Sequence, residues 1–225
     1  ELEIEKEPKG FKLYREMEQA GDLDVRMYVY PSIGKTGDFS RAKELMEEYS
    51  DGYVIMPGLK AYGDGVIDAH TGVLNAPYND KPEDPEFNAK PIFTQEALSD
   101  IITKANAEGY PVRIHCTGDG STRMALNAFE ASIKANGRHG LRNGIEHVEL
   151  VEDEDYPRFA ELDVMANKQP AHYYLCTEKF MLDALGERRW FRSQPLKSFY
   201  DAGAKVSLST DFPIVEIDPF HNMYV

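Results

Sequence analysis

Apolar, strand-like runs alternate with helical patterns along most of this chain, and this alternation restricts the fold more than any other feature. The runs with the length and composition of buried strands are 24–32, 53–62, 111–118, 143–150, 163–170 and 204–211. Amphipathic helical patterns such as 94–109 and 121–137 separate them, and the connections are short. Alternation of this kind predicts parallel βαβ units with helices packed on the sheet.

The number of units selects a fold within the α/β class. A complete (β/α)8 barrel takes about 250 residues, and these 225 residues supply six units. We therefore predict a TIM (β/α)8-type barrel, truncated to roughly strands 3–8. The rival is a doubly wound open sheet, which usually carries a GxGxxG phosphate turn that this sequence lacks. The nearest approach, GDGSTR at 118–123, is predicted to cap a helix through Ser121, with phosphate binding as the alternative.

We predict a single domain over residues 1–225 that is part of a larger protein. The chain begins at Glu1 without a methionine, and DPFHNMYV (218–225) has the turn and first helical residues expected after a strand. The segment 64–93 is rich in Gly, Pro, Asn and Asp. On a barrel it is predicted to be a long loop over the active face.

Charge and cysteine content exclude several classes of partner. The sequence has 39 acidic and 25 basic residues, and a net charge of −14 opposes binding to nucleic acid or to an anionic membrane. No apolar run approaches the roughly 18 residues of a membrane span. Cys116 and Cys176 are too few for a disulfide framework, which indicates a reducing, cytoplasmic location, although a signal peptide ahead of Glu1 stays an open alternative. We expect a small-molecule partner.

Three of the strand-like runs end in residues that commonly bind metals. They are His115 in RIHCTGD (113–119), His147 in GIEHVEL (144–150) and Asp211 in VSLSTDFP (206–213). A barrel presents the carboxyl ends of its strands at one face, so these side chains should meet there and suit a divalent metal. Asp211 could also accept a proton from a metal-bound water of lowered pKa. The structural alternatives are hydrogen-bonded core histidines and an Asx turn at Asp211.

Lys60 ends the candidate strand that precedes His115 in the barrel order. A lysine at such a position is ordinarily a surface or snorkelling residue. A desolvated lysine can instead react with carbon dioxide to form a carbamate, whose oxygens are able to bridge two metal ions. Lys60 is therefore a candidate metal ligand.

Four ordered blocks of the chain resemble the amidohydrolase superfamily. They are KAYGDGVIDAHTGVLNAPY (60–78), RIHCTGDGSTRMALNAFE (113–130), RNGIEHVELVEDEDYPRFAELDVMANKQPAH (142–172) and STDFPIVEIDPFHNMY (209–224). The chain is most similar to amidohydrolase family 3, which includes the N-substituted formamide deformylases. The resemblance implies a TIM barrel whose one or two metal ions, usually zinc, activate water to attack an amide-like carbon–nitrogen bond.

The same resemblance implies a role for each matched residue. His115 and His147 match ligands from strands five and six, and Asp211 matches a strand-eight aspartate that is both ligand and general base. Lys60 falls at the strand-four position, where relatives supply a bridging carbamate or an acidic ligand. His172, in QPAH, falls where similar enzymes have a histidine near the substrate, and it would polarise the scissile carbonyl.

The chain also departs from the superfamily pattern. No HxH pair, expected at the end of strand one, occurs in the sequence, and the usual small β-sandwich is missing. With two ligands absent, we expect this chain by itself to bind metal weakly and to be inactive. A barrel without two strands has open sheet edges, which favours self-association.

Other classes of function remain open at this stage. A catalytically inert barrel with a binding or regulatory role would keep the fold and need no metal. A metal-free barrel enzyme would use Lys60 as a Schiff base and would survive chelators. Aromatic residues in the loop and after His172 indicate a substrate with an apolar or aromatic group beside the amide. These aromatic residues are Tyr78, Phe87, Phe93, Tyr173 and Tyr174.

Overall fold

The computed structural model describes residues 9–224 except the side chain of His221, so the first eight residues of the predicted domain and Val225 lie outside the described range. In chain order the elements are α1 Lys9–Ala20, β1 Met27–Tyr28, α2 Ser40–Tyr49, β2 Val54–Ile55, β3 Leu59–Tyr62, α3 Gln95–Ala107, β4 Val112–Cys116, α4 Asp119–Asn136, β5 Gly144–His147, α5 Tyr156–Glu161, β6 Met165–Lys168, α6 Glu178–Leu185, α7 Glu187–Trp190, α8 Leu196–Asp201, β7 Val206–Leu208 and α9 Pro219–Tyr224. Short 3-10 helices cover Asp153–Asp155 and Pro170–Tyr174. None of the helices in this range is long and apolar enough to cross a membrane.

The central feature of the fold is a parallel sheet in which β3 to β7 lie side by side in chain order. The register pairs Cys116 with His147, so the ends of β4 and β5 come to the same edge of the sheet. Helices α3, α4, α5 and α8 lie between successive strands in the chain. This arrangement confirms the predicted α/β fold, and an open row of five strands is consistent with a truncated barrel.

The two amino-terminal strand candidates are interrupted in the structure. Only Met27–Tyr28 of 24–32 forms a strand, paired in parallel with β2, while Ser32 makes an isolated parallel bridge to Lys60. The second candidate divides into β2 and β3 around Pro57. Proline donates no backbone hydrogen bond and therefore interrupts a ladder.

The main core lies between the sheet and its helices. The strands contribute fully buried Leu59, Ile114, Ile145 and Ala166. The helices contribute Leu98, Ile102, Leu126, Phe129, Phe159 and Phe199. Buried parallel strands of this kind read as short continuous apolar runs, and such a core holds the strand ends in a fixed order.

The GDGSTR segment packs against its own chain. Helix α4 begins at Asp119 with Gly118 as its N-cap and no side-chain capping bond, so the prediction that Ser121 caps the helix is wrong. The backbone N–H groups of Gly120 and Ser121 donate to the Val73 carbonyl at 3.0 and 3.2 Å. A Cβ at Gly118 would lie 2.0 Å from that same oxygen. The helix terminus is thus occupied by Val73, which argues against the phosphate alternative.

A second apolar cluster covers the carboxyl end of the sheet. The long loop 64–93 contributes Ile67, Leu74 and Tyr78, and these pack with Met181 of α6 and Trp190 of α7. Within residues 64–93 there is no helix or strand, yet the loop is internally bonded, because the Tyr78 hydroxyl donates to the Gly72 carbonyl at 2.7 Å. This packing holds the loop over the strand ends.

Candidate active site

A cavity of about 350 Å³ opens at the carboxyl ends of the strands. We call it the first cavity. Predicted site residues that line it are His115, His147, His172 and Asp211. Other lining residues come from the long loop, from α6 and from α7, among them Ile67, Asp68, Met181 and Trp190. The sheet edge therefore supplies the polar floor, and the second apolar cluster supplies much of the wall.

His147 occupies a strained backbone position at the end of β5. Its φ is +73° and that of the next residue, Val148, is +46°, a region that side-chain-bearing residues rarely adopt. The Val148 N–H donates to the Cys116 carbonyl at 2.9 Å, which ties the turn to β4. This turn directs the His147 imidazole into the cavity instead of continuing the strand.

Lys168, at the end of β6, stabilises that turn through hydrogen bonds. Its side chain is fully buried, and its Nζ donates to the carbonyls of His147 at 2.7 Å and Val148 at 2.8 Å, and to Gln194 Oε1 at 3.0 Å. Burial lowers the pKa of Lys168 to about 7. Sequence reasoning missed this residue; the available signal was a lysine at the end of the buried strand MANK.

His172 and Asp211 complete a compact group with His147. His172 lies in the 3-10 helix after β6, and its ring stacks on the His147 ring with centroids 5.5 Å apart. Its Nε2 is 3.7 Å from Asp211 Oδ2, and its Nδ1 is 3.6 Å from Glu149 Oε1. One ligand atom from each of His147, His172 and Asp211 lies within 4.8 Å of the others.

This group fits a divalent metal ion. The Nε2 atoms of His147 and His172 are buried and accept or donate no hydrogen bond within the described residues. Burial, followed by electrostatic interaction with His115 and Lys60, holds the pKa of His147 well below its usual value, so the His147 imidazole is neutral at pH 7. Neutral imidazoles and a carboxylate form the donor set expected for zinc or a similar ion.

His115 lies beside this group but is oriented by other contacts. Its ring centroid is 4.4 Å from that of His147, and its Nε2 is 2.7 Å from the Gly65 carbonyl. A histidine that donates one ring N–H to a backbone carbonyl presents its other nitrogen as a neutral acceptor. The Gly65 contact is therefore compatible with His115 acting as a ligand through Nδ1.

Asp64 is a second residue that sequence reasoning missed. Its buried carboxylate accepts hydrogen bonds from the backbone N–H groups of Val73, Thr117 and Gly118 at 2.9 to 3.0 Å and from the Ser121 hydroxyl at 2.6 Å. These bonds join the long loop to the turn after β4. The signal available in the sequence was an aspartate in YGDG, directly after a buried strand.

Lys60 and His172 line different cavities. Lys60 is 5% exposed, with Nζ 5.4 Å from the centroid of the Tyr62 ring. Together with Arg113 and Glu146 it lines a second cavity of about 330 Å³. His147 and Asp211 line both cavities. The structure thus brings Lys60 to the site from the opposite side of these two residues.

Comparison with known proteins assigns the chain to a family. The sequence profile of the Amidohydrolase family matches residues 3–224, nearly the whole chain. The chain belongs to the amidohydrolase family. The chain is 30% identical over 211 residues to YtcJ of Bacillus subtilis, a protein named as a putative amidohydrolase, with 88% of the chain aligned. It is 26% identical over 134 residues to the N-substituted formamide deformylase of Arthrobacter pascens, covering 59% of the chain and 24% of that enzyme.

A solved structure supports the same assignment. An uncharacterized metal-dependent hydrolase from Pyrococcus furiosus superposes on 96% of this chain with a TM-score of 0.78 and 26% sequence identity. The chain spans 43% of that protein and 39% of YtcJ, which is less than half the length of either. The chain is thus similar in both sequence and fold to a protein that is named as a metal-dependent hydrolase.

Proposed function

We propose that this amidohydrolase contributes the metal site of a hydrolase that cleaves the carbon–nitrogen bond of an amide-like small molecule. The observation that carries the proposal is the convergence of His147, His172 and Asp211 within 4.8 Å at the wall of a cavity. Two of these residues have a buried nitrogen without a hydrogen-bond partner in the described part of the chain. A buried imidazole nitrogen left in this state is costly unless a ligand uses it.

A divalent ion bound there would act as a Lewis acid and lower the pKa of water. His147 and Asp211 are proposed to hold it, with His115 contributing through Nδ1 and Lys60 through a carbamate. Zinc is proposed because the donor set is rich in imidazole. These assignments follow the chemistry of the donor atoms and the family resemblance.

Proton transfer is assigned to the chain's own carboxylates and His172. The Asp211 carboxylate, with 30% of its side chain exposed, lines both cavities and is proposed to take a proton from water. The opposite ring nitrogen of His172 faces Glu149, whose carboxylate holds the imidazole in place. A ring that carries a proton on both nitrogens can face Glu149 through Nδ1–H and donate from Nε2–H toward the carbonyl oxygen of the amide, which is the polarising role proposed for His172.

Metal analysis combined with an amide panel tests this function. We expect the longer protein that contains this chain to hold at least one divalent ion per polypeptide and to hydrolyse some N-formyl or N-acyl amines, with activity lost in chelator and restored by zinc. The 225-residue chain alone should show weak metal binding and no turnover.

Two results would contradict the proposal. Metal-free protein with full activity would favour the Lys60 Schiff-base alternative, which borohydride trapping with substrate detects. Metal content without hydrolysis of any amide in the panel would favour an inert barrel with a binding or regulatory role.

A further inference from the structure

We propose that the first cavity takes uncharged or cationic amides that carry an apolar ring, and that it discriminates against substrates that carry a carboxylate. This inference rests on the proposed function, because it names the substrate class of the same site. Binding can nevertheless be measured without turnover, so the two proposals fail separately.

An aromatic platform forms one wall of the first cavity. The rings of Tyr173 and Trp190 stack with centroids 4.9 Å apart and an interplanar angle of 15°. Tyr173 is 40% exposed, whereas Trp190, beneath it, is 3% exposed. Ile67 and Met181 also line this cavity, and both belong to the second apolar cluster. A wall of this composition binds a flat apolar group by burying its surface.

The charged groups of the first cavity are all of one sign apart from its histidines. Asp68, Glu149 and Asp211 line it, and among the described side chains no lysine or arginine does. Lys168 is fully buried behind Gln194, which accepts its hydrogen bond at 3.0 Å. A ligand carboxylate beside the aromatic platform would therefore face Asp68 and Glu149 with no side-chain cation to pair it, and the proposed metal ion at His147 and Asp211 would be its only cationic partner.

The pKa of the Cys176 thiol is raised in part by the negative charges of the same carboxylates. Cys176 lines the first cavity, and burial, followed by the charge of Asp68 and a hydrogen bond to it, raises the pKa of this thiol to about 11. The charge of Glu149 acts in the same direction. Groups near Asp68 and Glu149 thus resist gaining a negative charge, and a substrate carboxylate is subject to the same repulsion.

The contrast with the second cavity supports the assignment. Lys60 and Arg113 line that space, and the Arg113 guanidinium lies 5.6 Å from the centroid of the Tyr30 ring. In the second cavity Arg113 Nη1 lies 3.7 Å from Glu146 Oε1. Among the described side chains no lysine or arginine lines the first cavity beside the aromatic platform.

Fluorescence of Trp190, the single tryptophan of this sequence, measures occupancy of the platform directly. The probes are N-formylphenylalanine amide and N-formylphenylalanine, which share the ring and the formamide and differ by one negative charge. We expect the neutral amide to bind at least tenfold more tightly at pH 7 and low salt. The Trp190→Phe variant lacks the fluorescence of Trp190. Comparison with this variant therefore identifies the Trp190 signal in a longer protein that contains other tryptophans.

The Asp68→Asn variant tests the electrostatic cause. Asp68→Asn should bind the carboxylate probe more tightly and so reduce the difference in affinity between the two probes several-fold. The Asp84→Asn variant should leave this difference in affinity unchanged. Asp84 lies exposed in the same long loop and does not line the first cavity, so it is a matched control.

Equal or tighter binding of the carboxylate probe would overturn the inference, as would failure of both probes to change Trp190 fluorescence. Charge-selective binding without hydrolysis of any amide would leave this inference standing and remove the proposed function. Hydrolysis of both probes with equal kcat/KM would support the proposed function and contradict this inference.

Discussion

The two cavities at the carboxyl end of the sheet share a wall but differ in chemistry. The first has carboxylates, three histidines and an aromatic platform, whereas the second has Lys60, Arg113 and Glu146. His147 and Asp211 border both. His147 and Asp211 therefore separate a cavity lined by Asp68 and Glu149 from one lined by Lys60 and Arg113.

This difference shows what strand ends alone determine and what they leave to other segments. The predicted site residues other than Lys60 lie near the carboxyl edge of the sheet, as parallel topology requires. Lys60 does not end its strand as predicted, because it is the second residue of β3 and pairs with Arg113, two residues before His115. The cavity that each side chain faces depends on local turns, such as the left-handed backbone at His147 and Asp211. The apolar wall depends on the long loop and on α6 and α7, which belong to no strand.

The largest expected effect concerns the shared wall. In the longer protein that we propose contains this chain, His147→Ala should abolish stoichiometric metal binding and lower kcat/KM by at least about a thousandfold, because this residue borders both cavities. Lys60→Met should remove at most the ion on the side of the second cavity. Elemental analysis after dialysis measures the difference, and an unchanged metal content in His147→Ala would show that His147 does not bind the metal ion.

A smaller effect is expected from the residue that supports this wall. Lys168→Met leaves the carbonyls of His147 and Val148 without their buried donor, which should lower the free energy of unfolding by about 2–4 kcal/mol. Lys205→Met is the matched control, since Lys205 pairs with Asp163 at the surface and its loss should cost less than about 1 kcal/mol. Chemical denaturation compares the two, and equal losses would mean that Lys168 does not support the turn.

Periodicity in the sequence made the sheet and its helices predictable. Helix α3 begins after Thr94, whose hydroxyl oxygen accepts a hydrogen bond from the Ala97 N–H at 3.2 Å, and ends before Gly109, as the capping residues predict. The strand ends at His115 and His147 were predicted for the same reason, because a buried apolar run stops where polar residues begin. The interruption at Pro57 could also have been predicted from proline chemistry.

Other parts of the site depend on contacts that no local pattern encodes. Asp64 and Lys168 satisfy backbone groups of segments distant in the chain, and a single sequence does not show which buried polar groups need a partner. The stacking of Tyr173 on Trp190 joins a 3-10 helix to α7 through tertiary packing. The aromatic residues near His172 were noted in the sequence, but their partner was not.

The smallest expected effect tests the charge of the first cavity through Cys176. With a thiol pKa of about 11, the thiolate fraction at pH 8 is about a hundredfold lower than for an ordinary cysteine, so iodoacetamide should label Cys176 slowly. Asp68→Asn removes the leading electrostatic cause of this shift and should speed labelling several-fold, whereas Asp84→Asn should not. Fully buried Cys116 should stay unlabelled in the folded protein, so mass spectrometry can follow Cys176 alone. Labelling that is equally fast in the three proteins would mean that the carboxylates of the first cavity are too well screened to select substrates by charge.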